Sequence, residues 1–150
     1  MARFTHPAFG DVGGLTTNIT NFNTTWSGTG LAYTGNPILT STYVKIGNFV
    51  LVQYDISCAN VTNFGTGQYS LTLPFQSKYH TDVFGGSIHD IAPGGSIEHY
   101  SIKGHLVANS STVTIWSVGS SAKDEPFDHN SPIVLTTADK FHMSFTYICV

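Results

Sequence analysis

Residues 43–57 read YVKIGNFVLVQYDIS, two apolar runs on either side of Gly47-Asn48. A two-residue hairpin loop needs positive φ, which glycine adopts without steric cost, so the chain is predicted to turn at Gly47-Asn48 and pair the runs antiparallel. Ile46 then faces Phe49, and Val44 faces Leu51. Side chains alternate along a strand, so these four share one side of the ribbon while Tyr43, Val50, Val52, Tyr54 and Ile56 share the other. Both sides are apolar. An ordinary antiparallel sheet needs one apolar face, because the other meets water. The second face therefore has to be covered, and Tyr43, Val50, Val52 and Tyr54 are the residues expected to contact a neighbouring subunit.

The same alternation recurs along the chain. Gln68 to Leu73 puts Tyr69, Leu71 and Leu73 on one side and stops at Pro74; residues 97–108 place Tyr100, Ile102, Leu106 and Ala108 together; Thr112 to Val118 is a further run. In FHMSFTYIC, residues 141–149, Phe141, Met143, Phe145, Tyr147 and Cys149 point one way and His142, Ser144 and Thr146 the other, the pattern of a core strand. Seven or eight strands with Gly-rich connections predict an all-β domain, a two-sheet antiparallel sandwich of jelly-roll type spanning residues 24–150. Residues 1–23 carry Phe4, Phe9 and Phe22 with no sustained period and read as an extended N-terminal arm.

Composition agrees with that class. Ten Phe, seven Tyr and dense β-branched residues favour strands, while only 10% of the 150 residues are charged, against about 25% in ordinary soluble domains. Ser, Thr, Asn and Gly take their place. A chain of this length buries a core without metal or disulfide support. The net charge is −3 and Arg3 is the sole arginine, so the basic stripe of a nucleic-acid binder is missing. No apolar run approaches a membrane span, and the Met1 segment lacks a secretory h-region, so membrane insertion is not expected and folding in a cytoplasm is. Cys58 and Cys149 each alternate with apolar strand residues, which favours buried free thiols over a bridge.

The sequence offers little sign of catalysis. It has no G-x-S-x-G, and Asp55, Asp82, Asp90 and Glu98 are scattered singly; a carboxylate pair from separate strands would be invisible at this level. Seven histidines raise a metal question. His99 and His105 lie on one outward face, but six residues of strand is about 20 Å, too far for one ion. His80, His89 and His142 stand alone in sequence, so no cofactor or metal site is expected. The acidic segment 123–130, KDEPFDHN, gathers oxygens that a hard cation could use but lacks the ordered spacing of an ion loop. Gly28-Thr29-Gly30 and Gly65-Thr66-Gly67 precede no helix and read as turns rather than phosphate loops. The four N-x-S/T matches, beginning at Asn18, Asn23, Asn60 and Asn109, are what an Asn/Ser/Thr-rich chain produces by chance. Trp116 shares its side of a strand with Thr112, Thr114 and Val118, and is either a core tryptophan or an exposed platform for a sugar ring or protein.

Three stretches carry a resemblance: WSGTGLAYTGNP (26–37), TYVKIGNFVLVQYDI (42–56) and VTNFGTGQYSLTLPF (61–75), together with the aromatic C-terminal FTYIC. They resemble a β-sandwich module of tailed-bacteriophage structural proteins, found at tail-fibre ends and in small capsid-decorating proteins, commonly as trimers. The resemblance implies a non-enzymatic virion protein, made in the host cytoplasm. Because the module is here nearly the whole chain, a trimeric capsid decoration or cement protein is expected, with Arg3, Phe4 and Phe9 of the arm contacting the major capsid protein. The alternative it implies is a tail-fibre or receptor-binding module that attaches to host surface glycan.

Overall fold

The structure, a computed structural model, describes residues 18–92, 95–118 and 123–150. Twelve strands form among them: β1 (Thr20–Asn21), β2 (Trp26–Gly28), β3 (Thr34–Gly35), β4 (Ile38–Ile46), β5 (Phe49–Ser57), β6 (Val61–Asn63), β7 (Tyr69–Thr72), β8 (Thr81–Ile91), β9 (Ile97–Leu106), β10 (Thr112–Val118), β11 (Asp124–Pro126) and β12 (Lys140–Ile148). Nine join side by side in the order β1-β4-β5-β12-β8-β9-β10-β7-β2, β11 adds to β10, and β3 pairs with β6 in a small second sheet.

The long sheet folds over on itself, which makes two packed layers from one continuous ladder. The ring of Trp26 on β2, at one end of the order, has its centre 5.3 Å from that of Phe141 on β12, five strands away in the ladder, and Phe127 is also 5.3 Å from Phe141. Between the layers lies an aromatic core of Trp26, Tyr69, Phe127 and Phe141. The neighbours β5–β12 and β10–β7 are far apart in sequence, and these crossings make the sandwich jelly-roll-like.

The hairpin forms in the register read from its sequence: Ile46 opposes Phe49, Val44 opposes Leu51, and Gly47 carries the positive φ of 58°. In β12, Phe141, Met143, Phe145 and Tyr147 are buried while His142, Ser144 and Thr146 are exposed; the strand lies between β5 and β8, in the middle of its layer. The longest strand, β8, has no counterpart among the expected runs, because Gly85-Gly86 in its middle looks like a turn. There the pair serves a β-bulge: the register with β9 shifts between Phe84 and Gly86, and Gly85 takes a φ of 125°. Both cysteines are free and buried.

Two expectations are corrected. The expected arm of residues 1–23 ends too late, because Thr20 pairs with Tyr43, Asn21 pairs with Thr42, and Phe22 packs edge-on against Tyr43 and Tyr54. These residues belong to the sandwich; Arg3, Phe4 and Phe9 lie outside the described residues. The second correction concerns which ribbon face is covered. Val50, Val52 and Tyr54 are each 0% exposed within the chain itself, and the partly buried Tyr43 packs against the same core. Val50, Val52 and Tyr54 cannot be the subunit contact, since the folded-over half of the sheet already covers them, whereas Tyr43 is covered only in part. The face left in solvent is the opposite one.

Candidate functional site

The uncovered face of the hairpin is apolar and uncharged at its turn end. Ile46 and Leu51 are each 48% exposed and Phe49 59%. Val44 and Ile148, facing Leu51 and Phe49 across the ladder, are half-buried. Ile19 precedes the paired Thr20, so alternation puts it on this same face, and it is exposed. Lys45 is the one charge in this part of β4, and it turns the other way, with its ammonium 4.2 Å from the centre of the Phe75 ring. Single exposed apolar residues are ordinary, whereas a contiguous uncharged apolar group on one sheet face is a feature that contact surfaces share.

Toward the other end of the same face the residues become titratable. Asp55 on β5 opposes His142 on β12, and Lys140 on β12 opposes His89 on β8, which in turn opposes His99 on β9. The three imidazoles stack edge to face in a row, His89 to His99 at 4.5 Å and His89 to His142 at 4.9 Å between ring centres. Partial burial holds His89 below the usual histidine range, and any charge on His142, His99 or Lys140 lowers it further; Asp55 acts the other way. His142 also shares a 3.2 Å hydrogen bond with the Ser87 hydroxyl.

A second polar cluster sits on β8 and β9. Asp82 pairs with His105 at 2.7 Å and with Lys103 at 3.3 Å, and Lys103 reaches Asp124 at 2.6 Å. The hydrogen bond from His105 is the main reason the Asp82 carboxyl lies below its ordinary value. His80 stacks edge-on against His105 at 4.5 Å. Beside it opens a cleft of about 310 Å³ lined by Tyr79, His80, Thr81, Leu106, Thr146 and Tyr147. The cleft exists because β12 pairs with β8 only as far as Met143 and Gly86, and beyond the bulge β8 stays with β9 alone.

The structure thus brings together histidines that look isolated in sequence, but among the described residues no three His, Cys, Asp or Glu side chains are arranged to hold a metal ion. Ala92-Pro93-Gly94-Gly95-Ser96 was the signal for the first pair. Folding the chain back about it matches Ile91 with Ile97 and His89 with His99, as observed. Nothing local marks His142, which joins them through a pairing some fifty residues distant.

Trp116 faces outward on β10, opposite Lys103 and Pro126; it is half-buried, and its indole nitrogen is buried without a partner, so the N–H is not offered to a ligand. In the acidic segment Asp124 pairs with Lys103, Glu125 accepts from the Ser131 hydroxyl, and Asp128 accepts the amides of Asn130 and Ser131. The register sets Asp90 opposite Glu98, two carboxylates from separate strands. Burial, then Asp139 and Glu98, raise the Asp90 carboxyl, and neither residue lines the cleft. No known protein family matches the chain, and neither a curated protein nor a solved structure does so.

Proposed function

We propose that this chain is a non-enzymatic assembly protein that associates with copies of itself through the outer face of β4 and β5. The observation that supports this reading is the uncharged group of Ile19, Ile46, Phe49 and Leu51, left in solvent after the sandwich has closed over its own core. A second copy is the fitting occupant because the patch is apolar and lacks a charge that would select an oppositely charged partner. A stable interface covers about 800 Å² per partner, and an apolar centre with a polar rim is its usual anatomy. The turn end of the face offers the centre, and the Asp55 and histidine end offers the rim.

The kind of assembly rests on the resemblance of the 26–75 segment and the C-terminal strand to phage structural modules: a trimeric capsid decoration protein whose residues 1–17 meet the shell. Sedimentation at dilute and concentrated loadings tests the association, and a monomer at every loading overturns it. Removing residues 1–17, which leaves β1 intact, tests the arm. A folded oligomer that no longer binds heads supports the decoration role, whereas unchanged head occupancy removes it. The second reading, attachment to neutral host glycan, draws on exposed Tyr79 beside the cleft, since sugar rings stack on aromatic faces. A glycan array without signal at high protein concentration discards it.

A further inference from the structure

We infer that His80 and His105 form a binding site for a zinc-class divalent transition-metal ion beside the cleft, with Asp82 positioning His105. This inference is independent of the assembly reading.

The first step is the orientation of His105. Asp82 lies directly opposite it across β8 and β9, and the two side chains meet at 2.7 Å between Oδ1 and Nδ1. That bond holds the Asp82 carboxyl below its ordinary value, so at neutral pH it is ionised and only accepts. His105 therefore donates from Nδ1. Its Nε2 keeps the lone pair, which is the donor that an ion of the zinc class takes from imidazole. A carboxylate on the far nitrogen is the usual outer partner of a metal-binding histidine, because it fixes the tautomer and makes the ring more basic.

The second step is the neighbouring ring. His80 immediately precedes β8, and its ring centre is 4.5 Å from that of His105. With a metal–nitrogen bond of about 2.1 Å, each ring centre stands about 3.2 Å from the ion, so two rings sharing it lie about 4.5 Å apart at a right angle and about 5.2 Å apart at the tetrahedral angle. The observed spacing matches the first of these. The rings pack edge to face, and turning the exposed His80 ring about its Cβ–Cγ bond re-aims its nitrogens while its centre stays in place. Among the described residues no third His, Cys, Asp or Glu converges with them, so water completes the coordination. His80 also lines the cleft of about 310 Å³, which gives those waters, or a small ligand that replaces them, room beside the ion.

The third step is charge. In the bonded cluster the carboxylates of Asp82 and Asp124 stand against the single ammonium of Lys103, and the remaining negative charge favours a cation. His89 and His99 have the same 4.5 Å spacing and so provide a comparison within the chain. There Lys140 stands opposite His89 and repels a cation, and neither imidazole carries a carboxylate hydrogen bond among the described residues. The first ion therefore goes to His80 and His105.

The test is calorimetric titration of the intact chain with Zn²⁺ and with Mg²⁺ at about pH 7.5, beside His80→Gln, His105→Gln, Asp82→Asn and His99→Gln, with circular dichroism to verify folding. The natural chain is expected to take up one equivalent of Zn²⁺ ahead of any weaker binding and no Mg²⁺, because imidazole does not suit the harder ion. Asp82→Asn should weaken that uptake about 10–100-fold. His80→Gln and His105→Gln should each weaken it at least as much, and His99→Gln should leave it unchanged. Should His105→Gln not fold, His80→Gln, whose side chain is exposed, carries the comparison. Absence of Zn²⁺ uptake, uptake that survives His80→Gln, or uptake lost in His99→Gln overturns the site. Mg²⁺ uptake that Asp82→Asn removes assigns the cation to the carboxylates and overturns it too. Full Zn²⁺ affinity in Asp82→Asn overturns the positioning role of Asp82.

Discussion

The Tyr54 hydroxyl donates a 2.9 Å hydrogen bond to the Thr72 carbonyl oxygen, joining β5 to β7 across the interior of the folded-over sheet. Burial pushes the Tyr54 hydroxyl far above its ordinary value, with Tyr147 adding to the effect, so it stays protonated and remains a donor. Tyr54→Phe keeps the ring but removes that donor. The expected loss is about 1–2 kcal/mol of stability, with no change in association, read by denaturant unfolding and sedimentation. A change in oligomeric state would return Tyr54 to the subunit contact from which its burial excludes it.

The two faces of the β4–β5 ribbon are expected to separate cleanly under mutation. Ile56→Ala removes a side chain with 1% exposure and should cost about 2–5 kcal/mol without altering association at a concentration where the chain is folded. Leu51→Asp should leave the unfolding midpoint of the monomer within about 0.5 kcal/mol but abolish association, because it places a charge at the centre of the apolar patch. Loss of fold in Leu51→Asp would show that its face is needed within one copy.

Gly86 faces inward at the bulge of β8. A Cβ there would stand 2.6 Å from Ile102 Cγ1, 2.8 Å from the His142 carbonyl oxygen and 2.8 Å from Met143 Cγ. Gly86→Ala is therefore expected to cost about 1–3 kcal/mol by overpacking, seen as a lowered midpoint in thermal unfolding.

Thiol chemistry offers a probe of burial. Desolvation, aided by the nearby Asp139 carboxylate, pushes the Cys58 thiol up to about 12. Cys149 is 0% exposed. Neither cysteine should react with a thiol-specific reagent near pH 8 while the protein is folded, and both should react once it is unfolded. Rapid labelling of the native chain would contradict the packing around both.

Stability of the monomer should also depend on pH through His89. Its folded pKa is depressed, so in the window between that value and the unfolded value of about 6.5 the unfolded chain binds more protons. The contribution is complete above the unfolded value and is lost as pH falls through the window. Denaturant unfolding of Leu51→Asp across this range isolates the effect from assembly. A midpoint that rises on acidification would reverse the sign.

Residues 43–57 and 141–149 were legible because each strand's inward and outward residues follow a two-residue period, and because a glycine at a hairpin loop announces its own φ. Residues 81–91 were not, since Gly85-Gly86 serves a bulge and a close approach to Ile102, and glycine looks alike in a turn and in a strand. Likewise Phe22 gave no periodic signal, yet it completes the core beside Tyr54.

From its sequence alone this chain is an all-β protein with a hairpin apolar on both sides, low in charge, with no basic stripe and no apolar run long enough for a membrane helix. Only the tertiary structure decided which side of that hairpin is covered, and only it set His89, His99 and His142 in one row. The reason is that alternation is written residue by residue, whereas coverage and neighbourhood depend on which distant strands pair and how far the sheet curls.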